Sequence, residues 1–185
     1  MIYLLRHGLD DENYIGGGSE VSLIDVGIMQ VKNTIEYLKE NNIKFDKIYS
    51  SDVKRAIETS DIISKELNIE VKKLSILREL NKGILNGMEL NKAMKLYPKY
   101  FNNLDITTKY PDGECMKDFY DRIKQNLDYI LSLDNSLLVT HRGVINMLYY
   151  ILNDIDLDMN KKRFNVIHAS LHQIDTRKKK IKRIY

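Results

Sequence analysis

The sequence contains a single cysteine, Cys115, and no apolar run that approaches the length of a membrane-spanning helix. A lone cysteine excludes a disulfide framework and a thiolate metal cluster. The N-terminus also lacks the basic and then apolar layout of a signal peptide. Because repeats, low-complexity linkers and membrane segments are all missing from the sequence, we expect a cytoplasmic protein with no membrane partner.

The sequence does contain enough apolar material for one compact domain. Its 185 residues are 43% hydrophobic, so we predict a single domain over 1–185. The net charge is +3, but the segment 177–183 (RKKKIKR) alone holds six basic residues, and about −3 remains for the rest of the chain. This segment has no interleaved aromatic residues and no nucleic-acid-reading motif. We therefore interpret it as a terminal strand with Ile181 and Ile184 as apolar contacts, and predict no nucleic-acid partner.

Short apolar, β-branched runs alternate along the chain with longer segments of helical periodicity. Strands are predicted at 1–5, 47–49, 70–74 and 136–139, and a hairpin at 166–175 and 180–185. This alternation predicts an α/β fold of three layers, with a mostly parallel sheet flanked by helices on both faces and a C-terminal edge hairpin. The least regular stretch lies within 84–108, which we interpret as a candidate small cap segment.

Four helices are predicted between the strands. Ser22 with Asp25 resembles a capping box before the first helix, and Asp52 is placed to cap the second. The third helix is predicted from about Glu114, and the fourth follows Gly143. In sheets of this kind, ligands bind beyond the carboxyl ends of the strands, which is where a functional site is expected.

Two histidines occur at such strand ends. His7 follows the first strand in YLLRHG, and His141 follows the fourth in LLVTHRGVIN. Arg6 directly precedes His7, Arg55 lies one turn inside the second helix, and Glu79 follows the third strand. These side chains suit a phosphate site, because guanidinium groups bind phosphate oxygens through paired hydrogen bonds and helix N-termini add amide donors.

A metal site is the alternative for two histidines with carboxylates. Adjacent arginines would repel a divalent cation, and no His-x-x-x-His or Glu-x-x-His pair occurs near His7 or His141. His168 and His172 have this i,i+4 spacing, but they fall in a predicted strand, so we interpret both as structural. We therefore predict no metal and no cofactor.

Five segments, taken in order, resemble the histidine phosphatase superfamily, also called phosphoglycerate-mutase-like. They are LLRHG (4–8), SDVKRAIET (51–59), LRELNKGILNG (77–87), PDGECMKDFYDR (111–122) and LVTHRGVIN (138–146). The resemblance covers nearly the whole chain, and five motifs in the right order are far more specific than any one of them. The chain is similar to the small phosphatase branch, which includes α-ribazole and broad-specificity phosphatases.

The resemblance implies a histidine acid-type phosphatase, a metal-independent phosphomonoesterase acting on a small phosphorylated metabolite as its small-molecule partner. It implies His7 as the nucleophile that forms a phosphohistidine and Glu79 as the proton donor to the leaving oxygen. Arg6, Arg55 and His141 would line the phosphate pocket. A neutral histidine nucleophile fits beside these arginines, because neighbouring cations disfavour its protonation.

Four more residues are predicted to contact the substrate. Gly8 would let the backbone approach the phosphate, and Asn13 matches an asparagine in the family's first loop. Arg142 follows His141 where the family usually has glycine, and Asp10 stands where it usually has threonine. Because an acid beside an anion site is unfavourable, we expect Asp10 to cap the loop or to meet Arg142 or a cationic group of the substrate.

Two other functions fit the same residues. A cofactor-dependent phosphoglycerate mutase would carry Glu-Arg-x-Tyr-Gly where this chain reads ELNKG (79–83), and the missing arginine and tyrosine favour water as the acceptor. A non-catalytic phospho-ligand-binding protein would not need a proton donor at Glu79. The sequence leaves the substrate and the oligomeric state open.

Overall fold

A six-stranded sheet organises the parts of the chain that the computed structural model describes, residues 1–102, 104–160 and 162–185. The strands are β1 (Ile2–Arg6), β2 (Lys47–Ser50), β3 (Val71–Lys73), β4 (Ser136–Thr140), β5 (Leu171–Asp175) and β6 (Lys180–Arg183). They lie in the order β3-β2-β4-β1-β5-β6. The strands β1 to β4 are parallel, while β5 and β6 form an antiparallel hairpin at one edge.

The helices lie mainly in the connections between strands. They are α1 (Asp25–Glu40), α2 (Lys54–Leu67), α3 (Leu90–Leu96), α4 (Met116–Gln125), α5 (Leu127–Ser132) and α6 (Arg142–Leu152). Short 3₁₀ turns occur at Ser75–Leu77, Gly83–Leu85 and Pro98–Tyr100.

The sheet carries helices on both faces, and alternate strand residues face each layer. The helices α1 and α2 pack against Leu5, Leu137 and Val139 on one face. On the other face, α4, α5 and α6 pack against Leu4 and Leu138. Because neighbouring residues of an extended strand point to opposite faces, β1 and β4 are buried on both sides. The predicted three-layer architecture, with its mostly parallel sheet, is confirmed.

The four predicted parallel strands are confirmed, with ends that shift by one residue. The edge hairpin is also confirmed, but its first arm is shorter than predicted. The N–H and hydroxyl of Ser170 both donate to the Ile167 carbonyl, at 3.2 and 2.6 Å, and Ala169 has a left-handed φ of 54°. This turn keeps 166–170 out of the sheet, so the strand prediction there is wrong and His168 lies outside β5.

The predicted capping box at Ser22 is wrong, because α1 begins later. The N–H of Leu23 donates to the Glu58 carboxylate at 2.7 Å, and the N–H of Ile24 donates to the Leu9 carbonyl at 3.0 Å. These tertiary contacts hold the chain extended up to Ile24, which is the N-cap residue of α1 and provides no side-chain cap.

The predicted cap at Asp52 is wrong for a similar reason. Its carboxylate binds the Arg78 guanidinium through two hydrogen bonds of 2.6 and 2.5 Å, and α2 begins one residue later, after Val53. By contrast, α4 is capped by Cys115, whose Sγ accepts from the Asp118 N–H while the Asp118 carboxylate accepts from the Cys115 N–H. A cysteine thus occupies the serine position of a capping box.

The basic segment 177–183 spans the hairpin turn and β6. Ile181 is buried and Ile184 packs on the core, so its interpretation as a terminal strand is confirmed. Among the described residues, no helix is both long enough and apolar enough to cross a membrane.

Candidate active site

Two adjacent strand ends bring the central residues together. The parallel strands β1 and β4 are hydrogen-bonded neighbours, and the N–H of His7 donates to the Thr140 carbonyl at 2.9 Å. The rings of His7 and His141 therefore lie 5.1 Å apart between centroids. This pairing follows from the parallel register, because the carboxyl ends of neighbouring parallel strands meet at one edge of the sheet.

His7 is held as one tautomer of a neutral imidazole. Its Nδ1 lies 2.7 Å from the Gly8 carbonyl oxygen, which can only accept, so Nδ1 carries the hydrogen and Nε2 the lone pair. Arg55 Nε donates to that Nε2 at 3.1 Å. Burial and then the neighbouring Arg55, His141 and Arg6 hold the pKa of His7 well below its usual 6.5.

Arg55 connects His7 to the first loop. Besides contacting His7, it donates through Nη1 to the Ser19 hydroxyl at 3.1 Å and through Nη2 to the Gly17 carbonyl at 2.8 Å. Its carbonyl accepts from the Thr59 hydroxyl, and Thr59 in turn accepts from the Gly8 N–H. The motif RAIET thus supplies both the buried guanidinium and a tether for the loop after β1.

Arg6 is the second buried cation of the site. Its Nη1 donates to the Val166 carbonyl at 2.9 Å, and its Nη2 contacts His168 Nε2. Its Nε is buried with no hydrogen-bond partner among the described residues. Burial and the nearby Arg142 lower the pKa of Arg6 to about 10, so it remains charged at neutral pH and can offer a donor to an anion.

Glu79 is fixed by two backbone groups. Its Oε1 accepts from the Leu80 N–H at 2.9 Å, and its Oε2 accepts from the Gly143 N–H at 3.0 Å. A Cβ at Gly143 would lie 2.0 Å from Glu79 Oε1, so only glycine fits there. Arg122 supports the same loop, since it donates to the Ile76, Arg78 and Glu79 carbonyls while binding the Glu114 carboxylate.

His141 is fully buried and is not among the residues that line the cavity beside His7. Its Nε2 lies 2.9 Å from the Ser51 hydroxyl, whereas its Nδ1 has no hydrogen-bond partner among the described residues. Burial and then Arg55, Arg6 and Arg122 hold the pKa of His141 well below 6.5. It is therefore a second neutral imidazole packed against the first.

Asp10 meets Arg55, not the predicted Arg142. Its Oδ2 lies 3.5 Å from Arg55 Nε, and its Oδ1 lies 3.9 Å from His168 Nε2. Burial raises the pKa of Asp10, and the attraction of Arg55 opposes this only in part. Of the alternatives expected for Asp10, the structure favours contact with a cation, but this cation is Arg55, which neither alternative named.

A cavity of about 240 Å³ opens in front of these groups. Arg6, His7, Asp10, Arg55, Glu79 and Arg142 all line it, together with the apolar side chains of Ile15, Phe119, Met147 and Tyr150. The structure thus brings together most of the predicted site residues, and we call this space the phosphate cavity.

Gly8 and Asn13 do not line the phosphate cavity. A Cβ at Gly8 would lie 2.5 Å from the Gly27 carbonyl oxygen, so glycine is needed there for packing against α1. Asn13 is exposed, and its side-chain amide donates to the Asp11 carboxylate at 2.8 Å. Their predicted substrate contacts therefore stay predictions.

His168 is the residue that the sequence did not identify. Its ring lies edge-on to His7, with centroids 5.6 Å apart, and it lines the phosphate cavity. Burial, followed by Arg6, Arg142 and Arg55, lowers its pKa to about 3, so it is neutral and accepts a hydrogen bond from Arg6. The turn before β5 places His168 beside the phosphate cavity.

His172 contacts the hydroxyls of Tyr149 and Ser170, in agreement with a structural role.

His7, Asp10 and His168 are close enough to be considered as metal ligands, because their ligand atoms all lie within 4.8 Å of one another. However, Arg55 donates to His7 Nε2 and Arg6 contacts His168 Nε2. Two buried guanidinium groups thus occupy the lone pairs that a metal would need, and they would repel it. The arrangement suits an anion better than a cation.

The comparisons with known proteins agree with this geometry. The sequence profile of the histidine phosphatase superfamily (branch 1) matches residues 2–184. A broad-specificity phosphatase from Saccharomyces cerevisiae is 29% identical over 163 residues, which cover 80% of this chain and 67% of the yeast protein. Phosphoglycerate mutase-like protein 4 from Arabidopsis thaliana is 34% identical over 159 residues, with 80% and 69% covered.

The fold itself is shared with solved structures. The crystal structure of α-ribazole phosphatase from Shigella flexneri aligns with a TM-score of 0.80 at 22% identity, over 99% of this chain and 94% of that one. Fold and site together define an α/β protein of the phosphoglycerate-mutase-like type, with its site at the carboxyl ends of β1 and β4. The chain belongs to branch 1 of the histidine phosphatase superfamily.

Proposed function

We propose that this chain hydrolyses a small phosphomonoester without a metal, through a phosphohistidine at His7. The observation that carries the proposal is the fixed state of His7. Its Nδ1–H is engaged by the Gly8 carbonyl, its pKa is held well below 6.5, and the residue lines the phosphate cavity. A neutral, oriented imidazole of this kind can act as a nucleophile once a phosphoryl oxygen replaces its Nε2 as the acceptor for Arg55 Nε.

In the first step, Nε2 of His7 attacks phosphorus, a P–N bond forms, and the P–O bond to the leaving group breaks. Glu79 gives its proton to the leaving oxygen, which departs as an alcohol. The phosphorylated ring becomes cationic, and the Gly8 carbonyl stabilises it by accepting the retained Nδ1–H. Arg55 Nε, which contacts Nε2 in the free protein, is then placed to donate to a phosphoryl oxygen.

In the second step, a water molecule attacks phosphorus and the P–N bond breaks. The Glu79 carboxylate takes the proton from this water, so that inorganic phosphate leaves and His7 returns to the neutral state. Arg6 and Arg55 carry positive charge in both steps, and they compensate the charge that spreads over the phosphoryl oxygens in the transition state. They supply the electrostatic stabilisation that a metal ion supplies in other phosphatases.

The experiment is phosphate release from para-nitrophenyl phosphate in the presence of a metal chelator, comparing wild type with His7→Ala. We expect turnover by wild type and a loss of at least about a thousandfold in the variant, because the nucleophile is gone. Alkaline quenching followed by mass spectrometry should also find a phosphoryl group on His7.

Equal rates for wild type and His7→Ala would contradict the proposal and favour the binding protein. Isomerisation of phosphoglycerate that depends on a bisphosphate would favour the mutase.

A Glu79→Gln variant separates the two chemical steps. This variant should slow the hydrolysis of alkyl esters, whose alcohols are poor leaving groups, more strongly than that of the aryl ester. Only the alkyl esters need a proton on the leaving oxygen.

A further inference from the structure

A second cavity of about 610 Å³ lies beside the phosphate cavity. Ile15, Lys82, Met159 and Asn160 line both, so the two spaces meet along this boundary. A group esterified to a phosphate beside His7 can therefore extend into the second cavity without leaving the surface of the protein.

The wall of the second cavity is mainly apolar and aromatic. Tyr100, Phe101, Leu104 and Tyr110 line it, with the buried Leu85. The rings of Tyr100 and Tyr110 stack with centroids 5.1 Å apart and an interplanar angle of 24°. We call this space the aromatic pocket. Stacked rings that are held in place offer a flat apolar surface to another ring.

The charged residues that line the aromatic pocket are Lys82 and Lys162, and both are basic. The phosphate cavity differs, because there Asp10, Glu12 and Asp158 accompany the cations. The aromatic pocket therefore combines an apolar wall with positive charge at its rim, and this combination favours a ring with an anionic substituent.

We propose that the aromatic pocket binds the leaving group of the substrate, and that this group is an aromatic ring carrying an anionic substituent. The inference rests on the proposed function and names its substrate class. It also assigns a role to the segment 84–108, which supplies Leu85, Tyr100, Phe101 and Leu104 to the pocket wall. These four side chains contact the leaving group and thereby set specificity.

The test compares four esters that share a butyl linker: n-butyl, phenylbutyl, para-carboxyphenylbutyl and para-aminomethylphenylbutyl phosphate. All four release a primary alcohol of similar basicity, so differences in kcat/KM report binding of the distal group. We expect phenylbutyl phosphate to exceed n-butyl phosphate by about tenfold. The carboxylate should add about threefold, and the ammonium group should remove a similar factor.

Two variants and a control test whether the preferences for the ring and for the carboxylate arise in the aromatic pocket. Tyr100→Ala should remove most of the preference for the ring. Lys162→Ala, at an exposed residue, should remove only the preference for the carboxylate and leave the fold intact. Lys44→Ala is the matched control. Lys44 is an exposed lysine just before the amino end of β2, whereas the site lies at the carboxyl ends of the strands. Its substitution should change neither the preference for the ring nor the preference for the carboxylate.

Equal kcat/KM for n-butyl and phenylbutyl phosphate, with turnover that depends on His7, would overturn the inference while the proposed function stands. A preference for the ammonium ester, or a carboxylate preference that Lys162→Ala does not reduce, would also overturn it. If no ester is turned over, the proposed function fails. Calorimetry with the wild-type protein then tests the aromatic pocket by itself. Equal affinity for the n-butyl and para-carboxyphenylbutyl esters would show that the pocket does not bind the distal group.

Discussion

Arg55 is the residue on which the site depends most. It is 2% exposed, and its three nitrogen atoms reach His7, the Ser19 hydroxyl and the Gly17 carbonyl. The planar guanidinium group thus orients His7 and holds the first loop in place, while its remaining N–H groups are available to an anion. A lysine would keep the charge but lose this geometry, because its ammonium group sits at a single point.

Asp10 Oδ2 lies 3.5 Å from Arg55 Nε, so in the proposed mechanism this carboxylate competes with the substrate for Arg55. We expect Asp10→Asn to lower the KM for a phosphomonoester by about tenfold at pH 7, where the wild-type carboxylate repels the phosphate. Burial raises the pKa of Asp10. As the pH falls, the wild-type carboxylate is therefore protonated and becomes neutral at a higher pH than an ordinary aspartate. The ratio of the two KM values should therefore approach one in acid.

Asp11→Asn is the control for this prediction, because it removes the same charge at a residue that binds Asn13 and does not line the phosphate cavity. The measurement is KM against pH for the three proteins with one aryl phosphate. A KM ratio that stays constant from pH 7 to pH 4, or an equal effect of Asp11→Asn, would show that Asp10 does not oppose phosphate binding.

The sequence predicted the chemical groups of the site better than their surroundings. His7, Arg55 and Glu79 each belong to a motif that follows a strand, so local sequence was sufficient to expect them at one edge of the sheet. The position of His168 depends on the turn at 167–170, whose left-handed Ala169 has no sequence signature. The closeness of Asp10 to Arg55 depends on how the first loop folds, and charge alone could not decide it.

At the scale of elements, α4 is the helix with a complete capping box, and its N-cap is Cys115. We expect Cys115→Ala to lower the free energy of unfolding by about 1 kcal/mol, because the Asp118 N–H would lose its acceptor. Cys115→Ser should recover most of that loss, since a hydroxyl is a stronger acceptor than a thiol. Urea unfolding followed by circular dichroism measures all three. Equal stability of the alanine and serine variants would mean that the cap contributes nothing.

Helix starts were the elements that local sequence predicted least well. Ser22 and Asp52 both have the residue type of a cap, yet neither caps a helix. Asp52 binds Arg78, and the chain after Ser22 is held extended by Glu58 and Leu9. In each case a partner from a distant part of the chain outweighs a local preference of about 1 kcal/mol. The bounds of the central strands β1 and β4 were predicted to within one residue, because burial on both faces leaves a long apolar signal.

At the scale of the molecule, all four histidines have lowered pKa values in the folded chain; His7, His141 and His172 are buried, and His168 is half-buried. For His7 and His141 the pKa is held well below 6.5, for His168 it falls to about 3, and for His172 to about 4. Burial is the largest cause in each. In the unfolded chain they titrate near 6.5, so between pH 6.5 and pH 4 the unfolded state binds more protons than the folded state.

The free energy of unfolding should therefore be highest above pH 6.5 and should fall by at least about 2 kcal/mol between pH 7 and pH 5. Urea unfolding at half-unit intervals of pH measures this slope. His172→Gln, outside the phosphate cavity, should have a shallower slope by about one proton between pH 6.5 and pH 4. A slope that is unchanged in this variant, or a wild-type stability that does not vary with pH, would contradict the expectation.

The position of β1 between β4 and β5 has a consequence for how the protein is made. The strand that carries Leu4, Leu5 and Arg6 leaves the ribosome before its partners, which begin at Ser136 and Leu171. A newly made β1 therefore remains an unpaired, apolar segment until β4 and β5 have been synthesised. His7 gains its Thr140 contact in the same event that closes the sheet. Activity in a nascent or truncated chain would thus report directly that folding is complete.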